Sequence, residues 1–166
     1  MITPASLRHI PMLRGMDERA LSALAGVLVL REFDDSQAIM RQGQPADGIY
    51  LLLRGHVRVT RQLPGDSTVG LVTMGPGALF GALAALDGRS RAADCIAWGR
   101  VQTGFLSLAD FSALMEGDTP SALRFQVAVL RTLFSDIRNT NQRLAELATL
   151  PEMDLSSVGD IITGLA

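Results

Sequence analysis

The chain of 166 residues contains no lysine; all fifteen of its basic side chains are arginine. That absence excludes Schiff-base catalysis and the phosphate-binding lysine of P-loop enzymes. A single cysteine, Cys95, excludes an intrachain disulfide and a four-cysteine iron–sulfur centre. There are two histidines, His9 and His56. No nucleophile, base and orienting group can be placed together around either, so the chain reads as a non-enzyme. No axial-ligand pattern surrounds His56 or Cys95, and neither a metal site nor a required cofactor is assigned. Charge of one sign is not in surplus: a net charge of -2 argues against nucleic acid or an anionic membrane as the main partner. Long hydrophobic runs are lacking too. Stretches such as "LAGVLVL" (24–30) are far too short to cross a bilayer. The opening "MITPASLRHI" has no extended apolar core of a signal peptide. Together these features predict a cytoplasmic protein with no membrane partner.

What is present is a 48% hydrophobic chain, long enough for one well-buried core. Residues 5–30 read as helical, with Asp17 as a cap and Leu21, Leu24, Ala25 and Leu28 on one face. From Phe33 to about Leu106 short apolar runs alternate with glycine-bearing turns. "IYLLLRGHVRVTR" places Leu51 and Leu53 on one strand and Val57 and Val59 on the next, hinged near Gly55. His56, Arg58 and Thr60 face away from Val57 and Val59. Pro64-Gly65-Asp66 supplies a hairpin turn, and "DCIAWGRVQTGFL" reads as two more strands. Many short strands at this spacing predict a β-sandwich or jelly roll.

Residues 121–150 contain neither glycine nor proline and lie between Pro120 and Pro151. This segment predicts one helix of about 45 Å, capped by Ser121 or Thr119. Leu123, Val127, Leu130, Phe134, Ile137, Asn141, Leu144 and Ala148 recur at alternating spacings of four and three, which is a heptad seam. Such a seam either packs on the chain's own β domain or pairs with a second copy. Asn141 at an a-type position favours a parallel homodimer through 121–150, because a buried asparagine finds its mirror image across the two-fold axis. Residues 151–166 form a tail in which Leu155, Val158, Ile162 and Leu165 could share one helical face. Folding back on the domain and docking to a partner both fit it.

Helices, then a β-roll, then a long helix form an order that resembles the cyclic nucleotide-binding domain of the catabolite activator and protein kinase A regulatory families. "GQPADGIYLLLRGHVRV" (43–59) resembles that family's glycine-anchored strands, and "GPGALFGALAALDGRSRAADCIA" (75–97) its phosphate-binding cassette. "LRGMDERALSALAGVLVLREF" resembles the leading helices, and "LRTLFSDIRNTNQRLAELA" the central dimer helix of the bacterial regulators. The resemblance spans about 150 residues and links several motifs in order. It implies an α+β, mainly β fold. This would be a β-roll (a jelly-roll double-stranded β-helix) with N-terminal helices over 1–120, a long dimer-type helix over 121–150 and the tail over 151–166. The tail is too short for a helix-turn-helix domain, so no DNA binding by the chain itself is expected. A protein partner of unknown identity is.

The resemblance also implies a ligand site. After Phe80-Gly81, Gly81, Ala82 and Leu83 would turn the first backbone N–H groups of a short helix toward a cyclic phosphate. Arg91 would pair with the phosphate oxygens, with Arg89 as the fallback and Ala92 beside it. Thr140 and Asn141 would reach the base. The implied ligand is cyclic AMP or another cyclic nucleotide. Three positions depart from the pattern. Ala82 stands where the family usually has a glutamate for the ribose hydroxyl, and losing such a bond costs about 1.5–3 kcal/mol. Ala92 removes a hydroxyl, and Asp94, if it faced the site, would repel a phosphate. The implied function is a regulatory module that senses a cyclic nucleotide or related anion and signals through its C-terminal helix. The alternative is a ligand-independent dimeric adaptor on the same fold.

Overall fold

The computed structural model describes residues 1–65 and 67–148. Asp66 of the hairpin turn, Thr149, Leu150, Pro151 and the remainder of the tail lie outside the described residues. The chain divides into two compact units, Met1–Val129 and a second that begins at Leu130.

The N-terminal segment is three short helical pieces rather than one run over 5–30. Helix α1 (Pro4–Arg8) ends at His9, a 3-10 turn follows at Pro11–Leu13, and α2 spans Glu18–Val27. The breaks have local causes. Pro11 has no N–H to continue α1, and Gly15 takes φ 91°, which other residues rarely adopt. Asp17 caps α2, its Oδ1 accepting from the Ala20 N–H at 2.9 Å. The chain turns extended at Leu28, and β1 (Val29–Phe33) follows. Leu7, Leu13, Leu21 and Leu24 are buried, each contributing about 1.5–3 kcal/mol on burial.

Five further strands complete the roll: β2 (Ala38–Met40), β3 (Gly48–Gln62), β4 (Thr68–Met74), β5 (Leu79–Phe80) and β6 (Asp94–Ser107). All pairings are antiparallel. The sheet runs β1-β6-β3-β4, with β2 also on β6 and β5 also on β3. The inner face packs Tyr50, Leu52, Val57, Phe80, Cys95, Ala97, Val101 and Phe105 into one cluster.

Two expected hinges are bulges within continuous strands. Gly55 lies inside β3 with φ 84°, and the register against β6 shifts on both sides of Arg54. Strict alternation from buried Leu52 would turn His56 and Arg58 inward. The bulge reverses the phase, so Val57 is buried while His56 and Arg58 are exposed. Glycine is required there, since a Cβ would lie 2.4 Å from the Arg100 carbonyl oxygen. Gly99, at φ 70°, plays the matching part in β6.

Helix α3 (Ala82–Asp87) lies between β5 and β6, and α4 (Leu108–Glu116) follows β6. The long helix α5 is described over Pro120–Ala148. Of the two expected caps, Thr119 fills the role. Its Oγ1 accepts from the Ala122 N–H at 3.2 Å, and Pro120 occupies the first turn, where its missing N–H costs nothing. Phe111 of α4 meets Phe125 of α5 edge-on at 6.3 Å.

Candidate functional site

The segment after Phe80 turns sharply at Gly81. Its φ of 81° and ψ of 0° are left-handed, and α3 begins at the next residue. Among the described residues no side chain caps this end. The leading N–H groups of a helix have no acceptor within the helix and point out of its N-terminus. A second left-handed glycine, Gly88 at φ 70°, closes α3. Ala82 is buried and Leu83 is exposed.

Arg91 is the focus of the site. It is 3% exposed, which disposes of a solvated loop arginine. Its backbone is held on both sides: the Gly43 N–H donates to the Arg91 carbonyl at 2.9 Å, and the Arg91 N–H donates to the Gln44 carbonyl at 2.8 Å. Its side chain returns to Gly81, Nη1 donating to the Gly81 carbonyl at 2.7 Å. Nη2 donates to Asp47 Oδ1 and to the Gly48 carbonyl, each at 2.7 Å. Three of the five guanidinium N–H donors are thereby engaged, which leaves about two for an incoming anion. A buried guanidinium demands a counter-charge and hydrogen-bond acceptors; Asp47 supplies the charge, and three acceptors satisfy most of its donors.

Asp47 extends the network. Its Oδ2 accepts from the Tyr50 hydroxyl at 3.2 Å and lies 3.5 Å from Arg31 Nη1. Arg31 Nη1 also donates to the Tyr50 hydroxyl at 3.0 Å, and its guanidinium carbon sits 3.3 Å from the Phe105 ring centroid. Tyr50 stacks on Phe80 at 5.3 Å, the residue before Gly81. Burial pushes the Asp47 carboxyl up, but the Arg91 guanidinium and its own backbone N–H outweigh that and hold it below its usual value. Burial, reinforced by Asp47, raises the Tyr50 hydroxyl. One carboxylate between two arginines leaves the cluster with a net positive charge, suited to a small anion.

The structure thus brings Gly81, Ala82 and Arg91 together. Ala92 is exposed next to Arg91. Arg89 is exposed, its N–H donating to Asp87 Oδ1 at 2.9 Å. Asp94 has a structural role instead. Its Oδ1 accepts from the Gln42 N–H at 2.7 Å and ties the chain after β2 to β6. Thr140 and Asn141 are exposed on α5, in the second unit. Along the heptad positions Leu123, Val127, Leu130, Phe134 and Ile137 are 45–61% exposed, Asn141 and Ala148 are exposed, and Leu144 is intermediate. Sequence reasoning missed Asp47, Tyr50 and Arg31. The signal for Asp47 lay in "GQPADGIY", where an acidic residue directly precedes the buried Gly48. Among the described residues no group of three histidine, cysteine or acidic side chains could hold a metal, and no helix is long and apolar enough to cross a membrane.

A β-roll with a glycine-opened helix and an internal arginine is a regulatory ligand-domain architecture, and comparison with known proteins agrees. Residues 30–118 match the cyclic nucleotide-binding domain, and the chain belongs to that family. It is 36% identical over 110 residues to the cAMP-dependent protein kinase type II regulatory subunit of Drosophila melanogaster, covering 66% of this chain and 29% of that protein. The solved catabolite activator protein of Thermus thermophilus matches with a TM-score of 0.72 at 25% identity, over 83% of this chain and 63% of that one. The regulatory subunit of a cAMP-independent protein kinase A from Trypanosoma brucei matches with a TM-score of 0.63 at 25% identity, over 75% and 49%. The chain spans less than two thirds of the length of each of these relatives.

Proposed function

We propose that this chain is a non-catalytic regulatory module that senses a cyclic nucleotide or a related small anion at Gly81–Arg91. The buried Arg91, aimed at the start of α3 and held by Asp47, Gly48 and Gly81, carries this reading. A cyclic phosphate would take the remaining Arg91 donors and the leading N–H groups of α3. It would compete with the Gly81 carbonyl and Asp47 for the others. Repartitioning those bonds shifts the cassette relative to Asp47 and the start of β3, and the shift is the signal. Output through residues 121–150 to a partner, with dimerisation along the heptad seam, completes the reading. Exposed Phe134 and Ile137 support that seam, and an arginine at either should yield a monomer in sedimentation experiments.

A second reading is favoured by Ala82 and Ala92. With no acceptor for a ribose hydroxyl, the fold can serve as a ligand-independent dimeric adaptor. The regulatory subunit of a cAMP-independent protein kinase A from Trypanosoma brucei shares the fold, which fits a reading without cyclic AMP.

Calorimetric titration with cyclic AMP, cyclic GMP and cyclic di-GMP separates the two. Saturable heat that is lost in Arg91→Ala and weakened in Arg91→Lys supports the sensor. No heat with any of them, and no ligand-induced rise in melting temperature, supports the adaptor.

A further inference from the structure

The outer face of the roll carries a group of residues that the cassette does not use. The Gly55 bulge turns His56 and Arg58 outward, and β6 places Trp98 opposite His56. The Arg58 guanidinium carbon stands 4.2 Å from the Trp98 ring centroid, and the His56 ring lies 6.0 Å from it. Trp98 is 49% exposed. Asp35 fixes the turn beside it, its Oδ1 accepting from the Gly99 N–H at 2.6 Å. Arg58 acts on that carboxylate only through its field. Arg54, on the other side of the bulge, is exposed as well. Neither Arg54 nor Arg58 forms a salt bridge among the described residues, whereas Arg100 is paired with Glu32.

Tryptophan and arginine are the side chains that most often dominate protein interfaces. A guanidinium stacked on an indole is already flat and ordered, so a partner loses less entropy in engaging it. A cation without a salt bridge, stacked on an aromatic platform, calls for a carboxylate next to an apolar group. Glu32 and Asp35 at the margins, and the net charge of -2, oppose a uniform polyanion such as DNA or an anionic membrane.

We propose that the face formed by His56, Arg58 and Trp98 docks an acidic segment of a protein partner. An apolar side chain of the partner lies on Trp98 and a carboxylate beside it meets Arg58. Trp98 is the single tryptophan of the chain, so tryptophan emission, excited selectively over Tyr50, reports from this face. The full chain is titrated with a short synthetic peptide in which glutamate alternates with leucine. Parallel titrations use the same peptide with lysine for glutamate, a DNA duplex, and phosphatidylserine vesicles. The expected result is a saturable change in Trp98 emission with the acidic peptide only, weakened about 10-fold or more in Arg58→Ala. Arg58→Glu is expected to transfer the preference to the lysine peptide; should that variant melt early, Arg58→Gln is expected to lose the response to the acidic peptide. No response to the acidic peptide, an unchanged response in the Arg58 variants, or an equal response to DNA or vesicles overturns the proposal. Calorimetry with cyclic nucleotides reads the cassette separately, so failure of this docking face leaves that reading untouched.

Discussion

Arg91 and Asp47 hold each other at 2.7 Å across 44 residues of chain, with the guanidinium buried and the carboxylate about half-exposed. The pair joins the cassette loop to the start of β3. Anything that loosens it frees the arginine while leaving a cation inside the fold.

Replacing Asp47 by asparagine should therefore destabilise the chain. Removing one partner of a fully buried pair costs about 3–5 kcal/mol; solvent at the exposed carboxylate reduces this to about 1–2 kcal/mol. Chemical denaturation of the Asp47→Asn variant measures the loss. The pH dependence has a definite sign. The folded carboxyl titrates below its ordinary value, so its contribution is fully present above about pH 4. It disappears as pH falls through the depressed value. The stability gap between wild type and Asp47→Asn should hence narrow in acid and stay constant near neutrality. A gap independent of pH down to acid unfolding would contradict the assignment.

Gly81→Ala should cost more than Gly88→Ala. Both glycines are left-handed, and alanine pays about 1–2 kcal/mol for that conformation. At Gly88 the new methyl meets nothing within 4 Å, whereas at Gly81 it lies 2.7 Å from Arg91 Nη1. The difference between the two melting temperatures isolates the cost of displacing Arg91.

Thr103 is fully buried on β6, and its Oγ1 has no hydrogen-bond partner among the described residues. A buried hydroxyl in that state costs about 1–3 kcal/mol relative to a satisfied one. Valine has the same shape and no such need. Thr103→Val should leave stability unchanged or raise it by about 1 kcal/mol, read by urea denaturation. A marked loss would reveal a role for the hydroxyl.

Cys95 should be inert in the folded chain. Burial pushes its thiol up to about 12, with Arg91 opposing only part of that rise, so the reactive thiolate is scarce at neutral pH. An aromatic disulfide reagent should label it only after denaturant is added. Rapid labelling of the native chain would mean that the roll opens locally.

The parts of the fold that rest on neighbouring residues were legible beforehand. Asp17 could be read as a cap because a carboxylate three residues before an unpaired N–H needs nothing distant. The helix after Pro120 was legible because an uninterrupted apolar spacing of three and four admits no other regular structure. Gly55 and Gly99 were harder. A glycine between two apolar runs looks the same whether the chain folds back there or bulges and continues. Pairing with β6 decides between the two for Gly55, because the ladder resumes on both sides. The helical reading of Val29 and Leu30 failed for a related reason: their apolar character suits a helix face and a strand equally, and pairing with Phe105 and Gly104 of β6 settles it.

Local sequence alone dictated the Asp17 cap, the long apolar stripe and the order of cassette motifs, all properties of residues within a few positions of one another. The assembled fold selected which acceptors Arg91 would take, that Asp94 would serve the chain after β2, and that Arg58 and Trp98 would share the outer face. Those outcomes depend on the register of β3 against β6 and on the bulge that reverses its phase. A guanidinium finds its carboxylate only after the strands that carry them have paired.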